Sequence, residues 1–133
     1  MNFPLLVAGS LALLGAGIHG VAGEALVVRR LSPGGLPSSP FGGPGMTKTM
    51  IRAAWHMTTV AFLTVGSALV LSGSVLHHGD IARGIGLIAA AESTGFAALA
   101  VGGALPEAPR SLFRHPAPAL LTAVAVLAWW GAL

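Results

Sequence analysis

His19, His56 and Glu92 stand inside long apolar stretches, where an ionisable side chain is costly and calls for a partner. Two imidazoles from two helices could ligate the iron of a b-type haem from opposite faces of the ring. Two imidazoles and a carboxylate would make a donor set for iron or another divalent metal ion. Arg52 lies four residues before His56, so on a helix the two share a face. It could hold a haem propionate, or pair with Glu24. The Glu24–Arg52 ion pair is the preferred structural reading of both residues.

Each residue also has a plainer role. A membrane histidine can stay neutral and donate to the next helix. An arginine near a helix end can snorkel to the interface. Glu92 can be protonated and bonded to a backbone carbonyl.

These residues need helices to carry them, and the composition supplies helices of a particular kind. The chain has 133 residues, of which 54% are hydrophobic and 8% charged, with a mean hydropathy of +0.81. A soluble domain carries about 25% charged residues. Four acids and seven bases cannot clothe a soluble exterior, which places the chain in the membrane class. Four long apolar segments run over about 3–28, 49–73, 81–103 and 112–133. They are Ala/Leu-rich without strand alternation, and each meets the ~20 residues that cross a bilayer core. The expected fold is all-α: one polytopic membrane domain, an antiparallel bundle of four transmembrane helices. The first segment lacks the basic start of a signal peptide and outruns a signal core.

Residues 31–46 read as an irregular tether or, alternatively, a lid, since 12 of these 16 residues are Gly, Pro or Ser. The other links are short, which makes consecutive helices antiparallel neighbours. Six of the seven bases (Arg29, Arg30, Lys48, Arg52, Arg110 and Arg114) flank the first and third links; Arg83 alone flanks the second. The positive-inside rule then sets 31–46 in the cytoplasm and both termini outside. Trp129 and Trp130 suit an anchor at the outer interface.

Counting 1.5 Å per residue from the expected helix ends, His19 lies roughly 14 Å deep, His56 roughly 10 Å and Glu92 roughly 16 Å. Glu24 and Arg52 both lie roughly 5 Å deep. A stripe of Ala8, Ala12, Ala16 and Gly20 ends in Glu24, the pattern of closely packed membrane helices. His77, His78 and Asp80 read as a solvated turn with weak metal-binding capacity. His115, before Pro116, reads as a helix cap that could be a further ligand.

Several classes are set aside. There is no cysteine, hence no disulfide, Fe–S cluster or Cys-ligated zinc. No phosphate loop, Ser/His/Asp set or HExxH stands in the sequence. The net charge of +3 is gathered at helix ends, which argues against a nucleic-acid partner.

The combination IHGVAGE (His19, Gly20, Glu24) and RAAWHMTTV (Arg52, Trp55, His56) resembles a group of small, largely uncharacterised four-helix bacterial membrane proteins. The resemblance covers mainly the first two segments. It implies four helices and points to the same polar residues, without implying an activity.

Three functional expectations follow. The first is a haem or metal site built from His19, His56, Arg52 and Glu92, used for electron transfer in a larger membrane complex. The second is a cofactor-free accessory or scaffold subunit, with other membrane subunits or further copies as partners. The third is a small proton-coupled carrier working through Glu92.

Overall fold

The computed structural model describes residues 1–76, 79–104 and 115–133. The helices are α1 (Phe3–Gly17), α2 (Gly23–Leu26), α3 (Pro44–Ser74), α4 (Asp80–Ala104) and α5 (Pro116–Ala132). A π turn, Ile18–Ala22, joins α1 to α2, so the first apolar segment forms one rod with a wider turn inside it. No strand occurs among the described residues, apart from an isolated bridge between Ser39 and Gly42. The rod Phe3–Arg30, α3 and α4 are each long and apolar enough to cross a membrane. α5 has 17 residues, short of the ~20 needed, and the expected start of that segment at 112 lies outside the described residues.

α1 packs between α3 and α5, and α4 closes the ring between α5 and α3. The α1–α3 pair runs antiparallel in one register throughout. Gly73 lies against Asn2 and Leu6, Gly66 against Leu13, Gly20 against Thr59, and Gly23 against Trp55. Glycine permits the closest point of this contact. A Cβ on Gly9 would come within 2.7 Å of the Gly66 carbonyl oxygen, so the two backbones touch there. The core between the helices is correspondingly small-residued: Leu5, Ala8, Ala12, Val65, Leu69, Ala89, Ala90, Val124 and Ala128.

Asn2 ties one end of the bundle. Its backbone N–H donates to Gly73 O at 2.8 Å, its Nδ2 donates to Gly131 O at 2.6 Å, and its Oδ1 accepts from Leu5 N. As the N-cap of α1 it satisfies an orphan helix donor while joining three helix ends. The outer surface is strongly apolar, with Val21, Met57, Val60, Ile88, Leu99, Val126 and Trp130 all exposed. A patch of this extent marks contact with lipid or protein.

One boundary and the character of the loop before it differ from the sequence reading. α3 begins at Pro44, inside the stretch expected to be an irregular loop, because proline is accepted in a first helical turn where its missing N–H is not needed. The remaining loop is also built rather than loose: it holds a 3₁₀ turn at Pro33–Gly35 and paired bonds between Ser39 and Gly42. Gly42 has φ +155°, and Thr47 Oγ1 donates to Pro37 O at 2.8 Å. Trp129 adds a contact the sequence did not show: its indole N–H donates to Thr94 Oγ1 at 2.9 Å, a clasp between α5 and α4, while both Trp129 and Trp130 are exposed. The His77–His78 turn, Arg110 and Arg114 lie outside the described residues.

Candidate functional site

The π turn organises the site. In a regular α-helix the Gly23 N–H would donate to His19 O, but here it reaches back to Ile18 O. The His19 carbonyl is thereby released, and a freed backbone acceptor inside a bundle needs another donor. Trp55 provides it, its indole Nε1–H donating to His19 O at 3.0 Å. That bond lays the indole flat on the His19 imidazole, with ring centroids 4.3 Å apart and planes 9° from parallel. Gly23 has no side chain because the indole occupies the place of its Cβ.

Thr59 joins the two rings' helices as well. Its Oγ1 lies 3.2 Å from Trp55 O, the back-bond one turn along the helix, and 3.0 Å from His19 Nδ1. With the one hydroxyl hydrogen on the Trp55 carbonyl, Nδ1 would donate to Thr59 and Nε2 would carry the lone pair; with it on Nδ1, the tautomer reverses. The first of these is the arrangement of a metal-ligating histidine. Phe62 meets the ring edge-on at 5.5 Å and is itself edge-on to Phe96 of α4 at 4.6 Å.

His19 lines an apolar cavity of about 310 Å³ bounded by α1, α3, α4 and α5. Its other walls include Gly15, Trp55, Phe62, Ser93, His115 and Leu120. The size is at the lower end for small-molecule pockets, which are mostly apolar with a few placed polar groups. Most of those polar groups are already engaged. Ser93 Oγ donates to Ala89 O, and the Trp55 N–H goes to His19 O. His115, an exposed residue at the cavity rim, has Nδ1 accepting from Ala117 N as the cap of α5, which leaves Nε2 outside that bond.

Glu24, Arg29, Arg52 and His56 form a separate layer nearer the helix ends. Glu24 is nearly buried, with 12% of its side chain exposed. Its Oε1 lies 2.8 Å from Arg52 Nη2 and 3.7 Å from Arg29 Nε, and its Oε2 lies 3.3 Å from His56 Nε2. None of these contacts is aligned as a hydrogen bond, so charge rather than directed bonding holds the layer. Arg52 and His56 are about half exposed and neither lines the cavity.

Among the described residues, no three His, Asp or Glu side chains gather as a metal-holding group. His19, His56 and Glu92, expected as one donor set, are therefore not assembled within this chain. His56 is turned to Glu24, and Glu92 faces out of the bundle while its neighbour Ser93 faces in. Trp55, Thr59 and Phe62 are the site residues that sequence reasoning did not assign. Their only signal was the four-residue spacing of Trp55 and Thr59 beside His56.

No family model, curated protein or solved structure matches the chain. The reading of this site therefore rests on its own geometry.

Removing the carboxylate should expose what it does. Glu24→Ala leaves Arg52, Arg29 and His56 facing one another, and should lower stability by about 1–2 kcal/mol, the figure for a lost charged partner whose counterions remain partly solvated. Arg52→Gln, at an exposed position, should cost less than about 1 kcal/mol. Denaturant unfolding of the detergent-solubilised protein compares the two. Equal and negligible effects would mean that the layer holds nothing together.

Proposed function

We propose that the chain is a membrane-embedded four-helix protein that binds a flat, mostly apolar cofactor in the cavity beside His19, with b-type haem as the occupant. The observation that carries this reading is an imidazole, His19, in the wall of an apolar cavity, anchored through Nδ1 to Thr59 and stacked on Trp55. With Nδ1 donating to Thr59, its Nε2 would be free to ligate iron directly. Haem bound this way would give the protein a one-electron redox centre. His115, at the same cavity, is better disposed than His56 to supply a second ligand. Arg52 is committed to Glu24, so a role with a haem propionate has no support from its contacts.

The membrane setting is supported by the three long apolar helices and the apolar exterior. An electron-transfer role in a larger complex is the natural use of such a centre. A second reading, a cofactor-free accessory subunit, is favoured by one feature. The Glu24 layer would serve equally to fix the register of α2 against α3.

The test is an absorption spectrum of the detergent-purified protein, oxidised and reduced, with iron measured on the same sample. A Soret band with about one iron per chain is the expected result for a single haem. A colourless, iron-free protein that also fails to take up added haem would favour the accessory-subunit reading.

A further inference from the structure

Arg29 and Arg30 close the apolar rod Phe3–Arg30, and Lys48 stands beside them in the second turn of α3. Its Nζ donates to Arg29 O at 3.4 Å, which ties the base of one helix to the terminal turn of the other. Arg52 follows four residues on, along the same face of α3. These four bases meet one acid. Glu24 is matched by Arg52 at 2.8 Å, while Arg29 Nε, 3.7 Å from the same oxygen, is not aligned to bond it. Among the described residues the other acids, Asp80 and Glu92, belong to α4 and form no ion pair.

Positive charge is therefore in surplus at one end of two apolar helices. The Arg29 side chain is 71% exposed and makes no hydrogen bond to a described residue. Lys48 and Arg52, like charges one turn apart, repel each other. An anion from outside the chain would relieve both conditions. Immediately inward of these bases the surface turns apolar and open, with Val21 and Leu26 exposed on the rod and Met50 and Met57 on α3. A soluble phosphate would answer the charge and leave that surface uncovered. A molecule that carries phosphate and apolar chains together answers both.

We infer that Arg29, Arg30 and Lys48 form a binding site for the phosphate of an anionic phospholipid, whose acyl chains lie along the apolar sides of the rod and α3. Arg29 supplies a planar fork of N–H donors that suits phosphate oxygens, and Lys48 a compact point charge. At the other end of the bundle Arg83 stands three residues after Asp80, so the two charges of that turn cancel and no such site arises. The inference rests on the membrane reading above but not on the haem.

Native mass spectrometry of the detergent-purified protein, titrated with dioleoylphosphatidylglycerol or dioleoylphosphatidylcholine, measures the preference. The phosphatidylglycerol should bind about tenfold tighter or more, at the worth of each base near an anionic lipid surface. Arg29→Gln and Lys48→Gln should each weaken it about fivefold, and together about thirtyfold, with phosphatidylcholine unaffected. Arg29→Lys, which keeps the charge, should retain most of the affinity, and Arg83→Gln all of it. Arg29→Gln alters an exposed side chain and so tests the site without disturbing the fold. Equal affinity for the two lipids, or a preference that survives the paired substitution, would overturn the site. Inorganic phosphate that displaces the lipid at equal concentration would reassign the bases to soluble anions and overturn the lipid assignment. An acidic protein held through these bases, with no preference between the lipids, would overturn it in favour of a protein partner. Recovery of the chain in the soluble fraction would overturn the membrane reading and the lipid site with it.

Discussion

Trp55→Ala should be among the most damaging single substitutions in the chain, lowering stability by about 2–4 kcal/mol. Large buried aromatics cost about 3–5 kcal/mol when truncated, and Trp55 is only half-buried. Three losses combine. The indole leaves the face of His19, the His19 carbonyl released by the π turn loses its donor, and the cavity gains an unfilled wall. Trp55→Phe retains a ring over the imidazole but no N–H, and should cost about 1 kcal/mol, the worth of one hydrogen bond. Trp130→Ala, at a side chain 72% exposed, should change folding stability by no more than about 0.5 kcal/mol. Denaturant unfolding in detergent, followed by helical circular dichroism, ranks the three. Trp55→Ala as mild as Trp130→Ala would mean that the π turn does not depend on the indole.

Gly9→Leu should be comparably severe, at about 3 kcal/mol or more, the upper range for overpacking. The obstacle is backbone rather than side chain: the new Cβ would meet Gly66 O at 2.7 Å and Val70 N at 2.8 Å. Neither atom can swing aside, so α1 and α3 must separate along their whole contact. Gly17→Ala is the matched control. No atom lies within 4 Å of its added Cβ, so better helix propensity should make it neutral or stabilising by up to about 1 kcal/mol. If both substitutions at Gly9 and Gly17 were tolerated alike, the close α1–α3 approach would be wrong.

The gross architecture was written plainly in the sequence. The apolar runs announce α3 and α4, and Pro116 the start of α5, to within about five residues, because length and hydropathy need no knowledge of partners. Equal depth also brought Glu24 beside Arg52, since depth follows from counting along two antiparallel rods. Facing direction was harder. The π turn inserts a residue that a 3.6-residue period does not anticipate, and it changes which carbonyls are free. Hence the partnership of His19 with Trp55 and Thr59 was not legible. His56 is one residue past Trp55, about 100° around α3, and so meets Glu24 where Trp55 meets His19. Counting along the segment set Glu92 near the middle of its helix, as in α4. Its outward direction depends on which face of α4 meets α3 and α5, a matter of packing rather than of local pattern.

The most direct test of the account is the haem spectrum of four proteins purified side by side: the unaltered chain, His19→Ala, His115→Ala and His56→Ala. If haem occupies the cavity as proposed, His19→Ala should abolish the Soret band. His115→Ala should shift or weaken it through loss of the second ligand, and His56→Ala should leave it nearly unchanged, because that imidazole belongs to the Glu24 layer. A band that survives His19→Ala but vanishes with His56→Ala would contradict the assignment of the cavity as the binding site.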